Sequence, residues 1–208
     1  PATLTCVTLQ AVIDALGSAQ APTYVYTWSG PAGGIIAGQG TLQPTVNLPG
    51  VYTLDIVNTA NGCTDVATVT VTQDIAAPTA EAGPDGLINC TSPAGTVGSA
   101  ANPSGPGLTL LWTTAGGNFT SPTNGPTATV DAAGTYTLLI TNNANGCTDT
   151  DVVTVADDFA APAAVAGPTF ELNCIQTTTV LQGTGASGAG IVYLWTTQDG
   201  TIVSGANT

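Results

Sequence analysis

The chain has 208 residues, including 13 Asp or Glu and no Lys, Arg or His, so its formal net charge is −13. A chain without cationic side chains cannot neutralise phosphate groups, which argues against binding to nucleic acid or to anionic membrane surfaces. Only 6% of the residues are charged and 43% are hydrophobic, yet no apolar run approaches the roughly 20 residues that span a bilayer. The composition therefore favours a folded segment without membrane insertion.

The first part of the chain contains five short stretches that are typical of β-strands. They cover residues 4–6, 12–15, 24–28, 35–36 and 45–48. These stretches are rich in β-branched and aromatic residues and are separated by turns that contain Gly and Pro. No helical periodicity appears anywhere, so the sequence predicts an all-β fold.

A longer β-hairpin follows these stretches. Tyr52, Leu54 and Ile56 alternate with polar residues, which predicts a strand with one buried face. The Asn-Gly pair at 61–62 then favours a tight turn, because both residues tolerate positive φ. Residues 66–72 alternate in the same way and form the returning strand. With this hairpin the segment has about seven strands, the number found in an immunoglobulin-like sandwich.

The whole pattern recurs after 84 residues. Residues 134–149 repeat the hairpin of residues 50–65, and the cysteines and tryptophans keep the same interval. The matching sets are Cys6, Cys90 and Cys174, then Cys63 and Cys147, then Trp28 and Trp112, with Trp195 a further 83 residues on. Self-similarity at a fixed interval indicates an array of small domains.

We therefore divide the chain into three immunoglobulin-like repeats. Repeat 1 covers residues 1–77, repeat 2 with its Pro-rich linker covers residues 78–161, and the N-terminal part of repeat 3 covers residues 162–208. Two prolines six residues apart in each linker favour a stiff, extended connection, so the repeats are expected to lie end to end. Because repeat 3 is incomplete and the first residue is Pro, we expect a piece of a longer protein.

The recurring motifs also resemble a known group of proteins. These motifs are Tyr26-x-Trp28, Leu110-x-Trp112 and Tyr193-x-Trp195, each before a Gly-rich turn, and then Gly50-x-Tyr52-Thr-Leu and Gly134-x-Tyr136-Thr-Leu. They are similar to the tandem PKD-like and immunoglobulin-like repeats of long bacterial surface proteins of the gliding-motility and adhesin type. The resemblance implies a secreted stalk or adhesin at the cell surface, without catalysis, whose glycan or protein ligands are bound through other domains.

The pairing of the cysteines can be argued from strand ends. In an end-to-end array the last strand of a repeat ends at the pole that faces the next repeat, so it begins at the opposite pole, where we expect the first strand to begin too. This predicts the disulfides Cys6–Cys63 and Cys90–Cys147, with the partner of Cys174 missing from the given sequence. The alternative, Cys63–Cys90 with Cys147–Cys174, has to bridge roughly 30 Å along a strand, but disulfide Cα atoms lie within about 7 Å. Such disulfides indicate an oxidising compartment.

Acidic residues cluster where repeat 1 is predicted to meet repeat 2. Asp74, Glu81 and Asp85 lie at the linker, and Asp149 and Asp151 follow the second hairpin cysteine. Three or more such oxygen ligands would hold Ca²⁺ and stiffen the joint, which makes calcium the candidate cofactor. The alternative is that these are solvated surface acids that keep the protein soluble. With no His and widely spaced cysteines, neither zinc nor redox chemistry is indicated.

Two classes of function fit these patterns, and neither is enzymatic. The first is a structural stalk or spacer of a long extracellular adhesin or fibre, in which the partners of each repeat are its neighbours. The second is a subunit of a self-assembling extracellular filament, in which strands of another chain complete repeat 3. The tryptophans favour core packing over a carbohydrate-binding surface, because each follows a Tyr or Leu two residues earlier on the same face of a predicted central strand.

Overall fold

The computed structural model describes residues 2–206, and these residues form β-strands without any helix. None of them belongs to a helix long and apolar enough to cross a membrane. The chain divides into two compact units, of which the first ends at Asp158 and the second begins at Phe159. Repeats 1 and 2 both belong to the first unit. The prediction of an all-β fold is confirmed.

Repeat 1 contains seven strands. They are β1 (Thr3–Thr5), β2 (Ala11–Val12), β3 (Tyr24–Ser29), β4 (Ile35–Ala37), β5 (Thr45–Val46), β6 (Gly50–Asn58) and β7 (Thr64–Asp74). One sheet has the order β1-β7-β6-β3 and the other has the order β2-β5-β4. β1 pairs parallel with β7, and the remaining pairs are antiparallel. These strands lie close to the stretches that the alternation of side chains predicts.

Repeat 2 has the same arrangement. Its strands are β8 (Gly86–Asn89), β9 (Gly95–Gly98), β10 (Leu108–Ala115), β11 (Thr127–Val130), β12 (Gly134–Asn142) and β13 (Thr148–Asp158). One sheet has the order β10-β12-β13-β8, and β9 pairs with β11 in the other. The pairing of β4 with β5 in repeat 1 corresponds in repeat 2 to an isolated β-bridge between Phe119 and Val130.

The order of the strands identifies the fold of each repeat. The third, sixth and seventh strands of repeat 1 share one sheet, and the second, fourth and fifth strands share the other. This is the division of strands in a constant-type immunoglobulin sandwich, with the first strand added beside the seventh. The first unit is therefore a tandem of immunoglobulin-like β-sandwiches, as the sequence predicts.

The hairpin of each repeat follows from alternation and from a glycine turn. Tyr52 and Leu54 of β6 and Val71 of β7 are at most 1% exposed, so one face of the hairpin packs into the core. At the turns Gly62 and Gly146 have φ values of 75° and 69°. Only glycine adopts this left-handed conformation without a steric cost. At both turns this conformation lets the chain reverse direction between the two long strands.

A tyrosine hydroxyl fixes the entry to each hairpin. Tyr52 donates to the carbonyl oxygen of Leu48 at 2.8 Å, and Tyr136 donates to that of Ala132 at 2.6 Å. Both rings are fully buried. Burial raises the pKa of Tyr52 because the phenolate would lose its hydration. The arrangement corresponds to the tyrosine corner of immunoglobulin-like sandwiches.

Each repeat has its own hydrophobic core. The core of repeat 1 is formed by residues between positions 4 and 71, and that of repeat 2 by residues between positions 80 and 155. Trp28 and Trp112 lie in these cores and are each 2% exposed. Their indole rings therefore stabilise the sandwiches and present no surface for stacking sugars. The predicted boundary between residues 77 and 78 falls between the two cores.

The second unit is less covered than the repeats of the first. It contains β14 (Ala164–Val165) and β15 (Thr184–Gly185), which pair antiparallel. Leu172 is 57% and Leu181 is 50% exposed, whereas their counterparts in repeat 2, Ile88 and Val97, are at most 3% exposed. Residues 159–206 include no counterpart of the β12–β13 hairpin, which covers those positions in repeat 2.

Candidate functional site

A disulfide bond joins repeat 1 to repeat 2. Cys6, which directly follows β1, is bonded to Cys147, which directly precedes β13. The sulfur atoms are 2.02 Å apart and the Cα atoms 5.1 Å apart, which is within the usual range for disulfides. The bond spans 141 residues of sequence. It ties the end of repeat 1 to the hairpin turn of repeat 2, and we call this contact region the junction.

The predicted pairings Cys6–Cys63 and Cys90–Cys147 are wrong, and the reason is the register of the first strand. We expected β1 to begin beside the start of β7. Instead its three residues pair with the last three residues of β7, so Cys6 lies beyond the end of that strand. Cys63 lies just before the start of β7, which has 11 residues and therefore spans roughly 35 Å. The two cysteines of repeat 1 are thus at opposite poles.

The remaining cysteines are not bonded in this structure. Cys63, Cys90 and Cys174 are free and exposed, so the alternative pairings Cys63–Cys90 and Cys147–Cys174 do not form either. Cys90 follows β8, which pairs with the last four residues of β13. It therefore occupies, on repeat 2, the pole that Cys6 occupies on repeat 1.

Asn145 is the central polar residue of the junction. Its side chain is 1% exposed, and its Nδ2 donates to Asp74 Oδ1 at 2.9 Å and to the carbonyl oxygen of Ala76 at 3.0 Å. Its Oδ1 accepts a hydrogen bond from the backbone N–H of Cys147 at 2.9 Å. One buried amide thus holds the end of β7, the start of the linker and the disulfide turn together.

Two carboxylates of β13 bind the linker along its length. Asp149 Oδ2 accepts from the N–H of Ala80 at 2.8 Å, and Asp151 Oδ2 accepts from the N–H of Ala82 at 2.7 Å. Alternate residues of an extended chain point to the same side, so residues two apart in the linker match residues two apart in β13. The match buries Ala80 and Ala82 in the core of repeat 2.

Asn102 fixes the linker residue between these two alanines. Its Oδ1 accepts from the N–H of Glu81 at 2.8 Å, and its Nδ2 donates to the carbonyl oxygen of Glu81 at 2.9 Å and to that of Pro126 at 2.9 Å. The side chain is 4% exposed. Side chains of repeat 2 therefore hold the linker against that repeat.

The predicted calcium ligands do not form a metal site. Within residues 2–206 no group of three or more Asp, Glu, His or Cys side chains could hold a metal ion. Asp74, Asp85, Asp149 and Asp151 accept hydrogen bonds from peptide or amide N–H groups instead, and Glu81 contributes its backbone. The carboxylates stiffen the joint, but they do so by binding the chain directly.

The sequence predicted that Asp74, Asp149 and Asp151 lie near the joint, where the structure has them accept hydrogen bonds, but it did not indicate the two asparagines that bind the linker. Asn145 and Asn102 were missed because a single Asn in a turn or loop is ordinarily a local cap. One signal was present: Ala80-x-Ala82 and Asp149-x-Asp151 have the same spacing, which suits the pairing of an extended linker with a strand.

Comparisons with known proteins give only distant similarities. No protein-family model matches the chain, and no curated protein matches it. Among solved structures it is similar to the PKD domain from the KIAA 1837 protein, with 19% identity and a TM-score of 0.31 over 46% of this chain and 96% of that one. It is also similar to the immunoglobulin domains 1–5 of Sidekick-1, with 17% identity and a TM-score of 0.32 over 88% of this chain and 44% of that one. A third similar structure is chicken VE-cadherin EC1-2, with 13% identity and a TM-score of 0.34 over 71% of this chain and 90% of that one.

Proposed function

We propose that this chain is a non-enzymatic structural segment of an extracellular protein, which acts as a stalk or spacer of a bacterial cell-surface adhesin or fibre. The observation that carries the proposal is the junction. A stalk has to hold its domains at a fixed distance, and here a disulfide and a bound linker connect two sandwiches. The two buried polar side chains among the described residues, Asn145 and Asn102, both bind the linker between the repeats.

The chemistry of the junction supports an extracellular location. Disulfides persist in oxidising compartments and are rare in the cytosol. Closure of a 141-residue loop also removes much of the conformational freedom of the unfolded chain, which benefits a protein that is exposed to proteases. A chain without Lys or Arg offers no site to trypsin-like proteases. Antibody labelling of intact cells that make the protein tests this location.

Single-molecule FRET tests the stiffness that a stalk requires. The exposed thiols of Cys63 and Cys90 accept the two dyes in a Cys174→Ser variant, while Cys6 and Cys147 stay bonded. β7 and β13 have 11 residues each, so the dyes are expected on the order of 70 Å apart, the summed length of the two strands at about 3.3 Å per residue.

A stiff stalk predicts one narrow population in this measurement. Adding Cys6→Ala and Cys147→Ala to the same labelled chain is the matched control, and it should broaden the distribution. A broad distribution of dye distances in the disulfide-bonded chain would show that the two repeats reorient relative to each other, and the stalk proposal would be wrong.

The second unit favours a second candidate, an extracellular filament whose subunits complete one another by strand addition. Leu172 and Leu181 are exposed where repeat 2 buries Ile88 and Val97 under the β12–β13 hairpin. Covering strands of another chain would remove this apolar surface from water. Light scattering and hydrogen exchange at increasing protein concentration test this candidate. Residues 169–206 should become protected as oligomers form, and monomers at every concentration would exclude it.

A further inference from the structure

We propose that the pair Asn124 and Gly125 in repeat 2 is a site of spontaneous covalent modification. Asn124 deamidates there to aspartate and isoaspartate, and the isoaspartate loosens the core of repeat 2. The reagent is water, and the reaction needs neither an enzyme nor an oxidant. Such a site sets the lifetime of a repeat, which is separate from the role of the repeat in a stalk.

The reaction begins at a backbone nitrogen and depends on the residue that carries it. The peptide nitrogen that follows an Asn loses its proton to hydroxide and attacks Cγ of the Asn side chain. A glycine at this position favours the attack, because it has no Cβ in the way and its backbone is the most permissive. The chain contains three Asn-Gly pairs, at positions 61–62, 124–125 and 145–146.

The pair at 124–125 has both reacting groups free. Within residues 2–206, neither the side chain of Asn124 nor the N–H of Gly125 forms a hydrogen bond. The side chain of Asn124 is exposed, and the pair lies in a bend outside the strands. Neither group has to give up a partner before the Gly125 nitrogen reaches Cγ, so the fold leaves this pair as reactive as it is in an unfolded chain.

The pair at 145–146 is held in the opposite way. Asn145 is 1% exposed and its amide forms three hydrogen bonds in the junction. The N–H of Gly146 donates to the carbonyl oxygen of Asn142 at 2.7 Å. These bonds have to break before the nitrogen attacks, and the loss of several hydrogen bonds slows the reaction roughly a hundredfold or more.

The pair at 61–62 separates exposure from hydrogen bonding. Asn61 is exposed, as Asn124 is. However, its Oδ1 accepts from the N–H of Cys63 at 3.0 Å, and the N–H of Gly62 donates to the carbonyl oxygen of Asn58 at 2.7 Å. We therefore expect this pair to react more slowly than the pair at 124–125 although both are open to water.

The bend that carries Asn124 also holds the core of repeat 2. The backbone N–H of Trp112 donates to the carbonyl oxygen of Thr123 at 2.8 Å, and its indole Nε1 donates to that of Gly125 at 3.1 Å. The carbonyl oxygen of Pro126 accepts from Nδ2 of Asn102 at 2.9 Å. Residues 123–126 thus fix both the buried tryptophan and the asparagine that binds the linker.

The covalent steps exchange one ammonia for one water. The Gly125 nitrogen forms a bond with Cγ of Asn124, and the bond between Cγ and Nδ2 breaks. Nδ2 leaves as ammonia with a proton taken from water, and a succinimide ring remains. A water molecule then opens the ring. Cleavage between the nitrogen and Cγ gives aspartate, and cleavage between the nitrogen and the backbone carbonyl carbon gives isoaspartate.

Isoaspartate changes the length of the main chain. The chain then passes through Cβ and Cγ, which adds one carbon and about 1.5 Å between the carbonyl groups of Thr123 and Gly125. Because one residue, Trp112, binds both carbonyl groups, the two hydrogen bonds cannot both keep their geometry. Loss of one of them should shift the local opening equilibrium of repeat 2 roughly tenfold toward the open state.

Repeat 1 has the same bend without the reactive pair. The N–H of Trp28 donates to the carbonyl oxygen of Gln39 at 3.2 Å, and its Nε1 donates to that of Thr41 at 2.8 Å. Gly40 lies between these two acceptors, at the position of Asn124. The core of repeat 1 is therefore an internal control that this modification should not change.

The first test measures the deamidation of all three pairs in the complete chain. Folded chain and chain in guanidinium are kept in warm, mildly alkaline H₂¹⁸O, quenched with acid and digested with pepsin, and mass spectrometry gives each rate. The ratio of the folded rate to the unfolded rate should be near one at Asn124. We expect it to be roughly tenfold lower at Asn61 and roughly a hundredfold lower or less at Asn145.

The second test measures the effect on the core. Aged chains are separated by anion exchange, and an isoaspartyl methyltransferase marks the isoaspartate form. Amide hydrogens around Trp112 should exchange roughly tenfold faster in this form, and those around Trp28 should not change. Asn124→Gln should prevent this ageing, because attack on the longer side chain closes a larger ring more slowly. Asn61→Gln is the matched control and should leave it unaltered.

Two results would overturn the proposal. Protection of Asn124 as strong as that of Asn145 would show that the fold does hold this pair. Isoaspartate at Asn124 with unchanged exchange around Trp112 would show that the bend does not fix the core. Neither result affects the FRET test of the stalk, since that test depends on Cys6 and Cys147.

Discussion

Removal of the junction disulfide is expected to cost the first unit about 5 kcal/mol of unfolding free energy. The variant is Cys6→Ala with Cys147→Ala. The bond closes a loop of 141 residues, and the chain-entropy model gives about 17 cal/mol/K for a loop of that length, or about 5 kcal/mol at 25 °C. This is comparable with the whole stability of a small domain.

The structure also gives the loss of unfolding free energy that is expected when only repeat 2 unfolds. If repeat 2 unfolds while repeat 1 stays folded, the closed loop runs only from Asp74, which lies beside Cys6, to Cys147. A loop of roughly 73 residues corresponds to about 4 kcal/mol in the same model. The predicted loss is therefore large whether the repeats unfold together or one at a time.

Denaturation by guanidinium, followed by tryptophan fluorescence, measures this loss. A Trp195→Phe background restricts the signal to Trp28 and Trp112, one in each core. Cys63→Ala is the matched control, because Cys63 has the same place in the other turn but is exposed; its effect should stay within about 0.5 kcal/mol. If the double variant loses less than about 1 kcal/mol, the junction disulfide does not constrain the unfolded chain and the loop argument fails.

Three further predictions concern the polar groups of the repeats. Asn145→Ala should cost about 2 kcal/mol, since it removes three hydrogen bonds and leaves the buried N–H of Cys147 without its acceptor, whereas Asn61→Ala in the exposed turn of residues 58–65 should cost less than about 0.5 kcal/mol. Equal shifts in chemical denaturation would contradict the assigned role of Asn145. The raised pKa of Tyr52 means that the folded chain holds the phenol proton more tightly than the unfolded chain. The stability that this gives is complete below about pH 10 and is lost as the pH rises through the folded pKa. Tyr52→Phe should therefore make denaturation midpoints less dependent on pH between about 9 and 11. A pH profile unchanged by the substitution would contradict this contribution of Tyr52. The melting temperature in a calcium chelator should equal that in excess calcium, because the junction carboxylates bind N–H groups. A difference above about 2 °C in calorimetry would support a calcium site at the junction.

The strands and hairpins were predictable because their signals are local. Alternation of Tyr52, Leu54 and Ile56 with polar residues defines a buried face, and the Asn-Gly pair defines the turn. The 84-residue interval then extended both assignments to repeat 2 without further assumptions. The number of predicted strands, about seven in each interval, favoured an immunoglobulin-like sandwich, and the structure then supplied their order.

The disulfide was not predictable, because it depends on where one short strand pairs. β1 has three residues and β7 has 11, so β1 can pair at several positions along β7 without a change in its own pattern. Pairing at the end of β7 moves Cys6 to the pole opposite Cys63. The register is decided by contacts between Leu4 and the core, where this side chain is 2% exposed, and such contacts between distant parts of the chain leave no local signal.

The Cys6–Cys147 bond also determines how the chain responds to tension. When the ends of the first unit are pulled apart, the force passes from the residues before Cys6 through the two sulfur atoms to the residues after Cys147. The chain between them, with a sequence separation of 141, carries none of the load. Without the bond, unfolding of this segment would add roughly 490 Å of contour length at about 3.5 Å per residue. With the bond in place, the segment can unfold without lengthening the chain between the two pulled ends. The two repeats thus form a nearly inextensible link, which reduction of a single bond would make extensible.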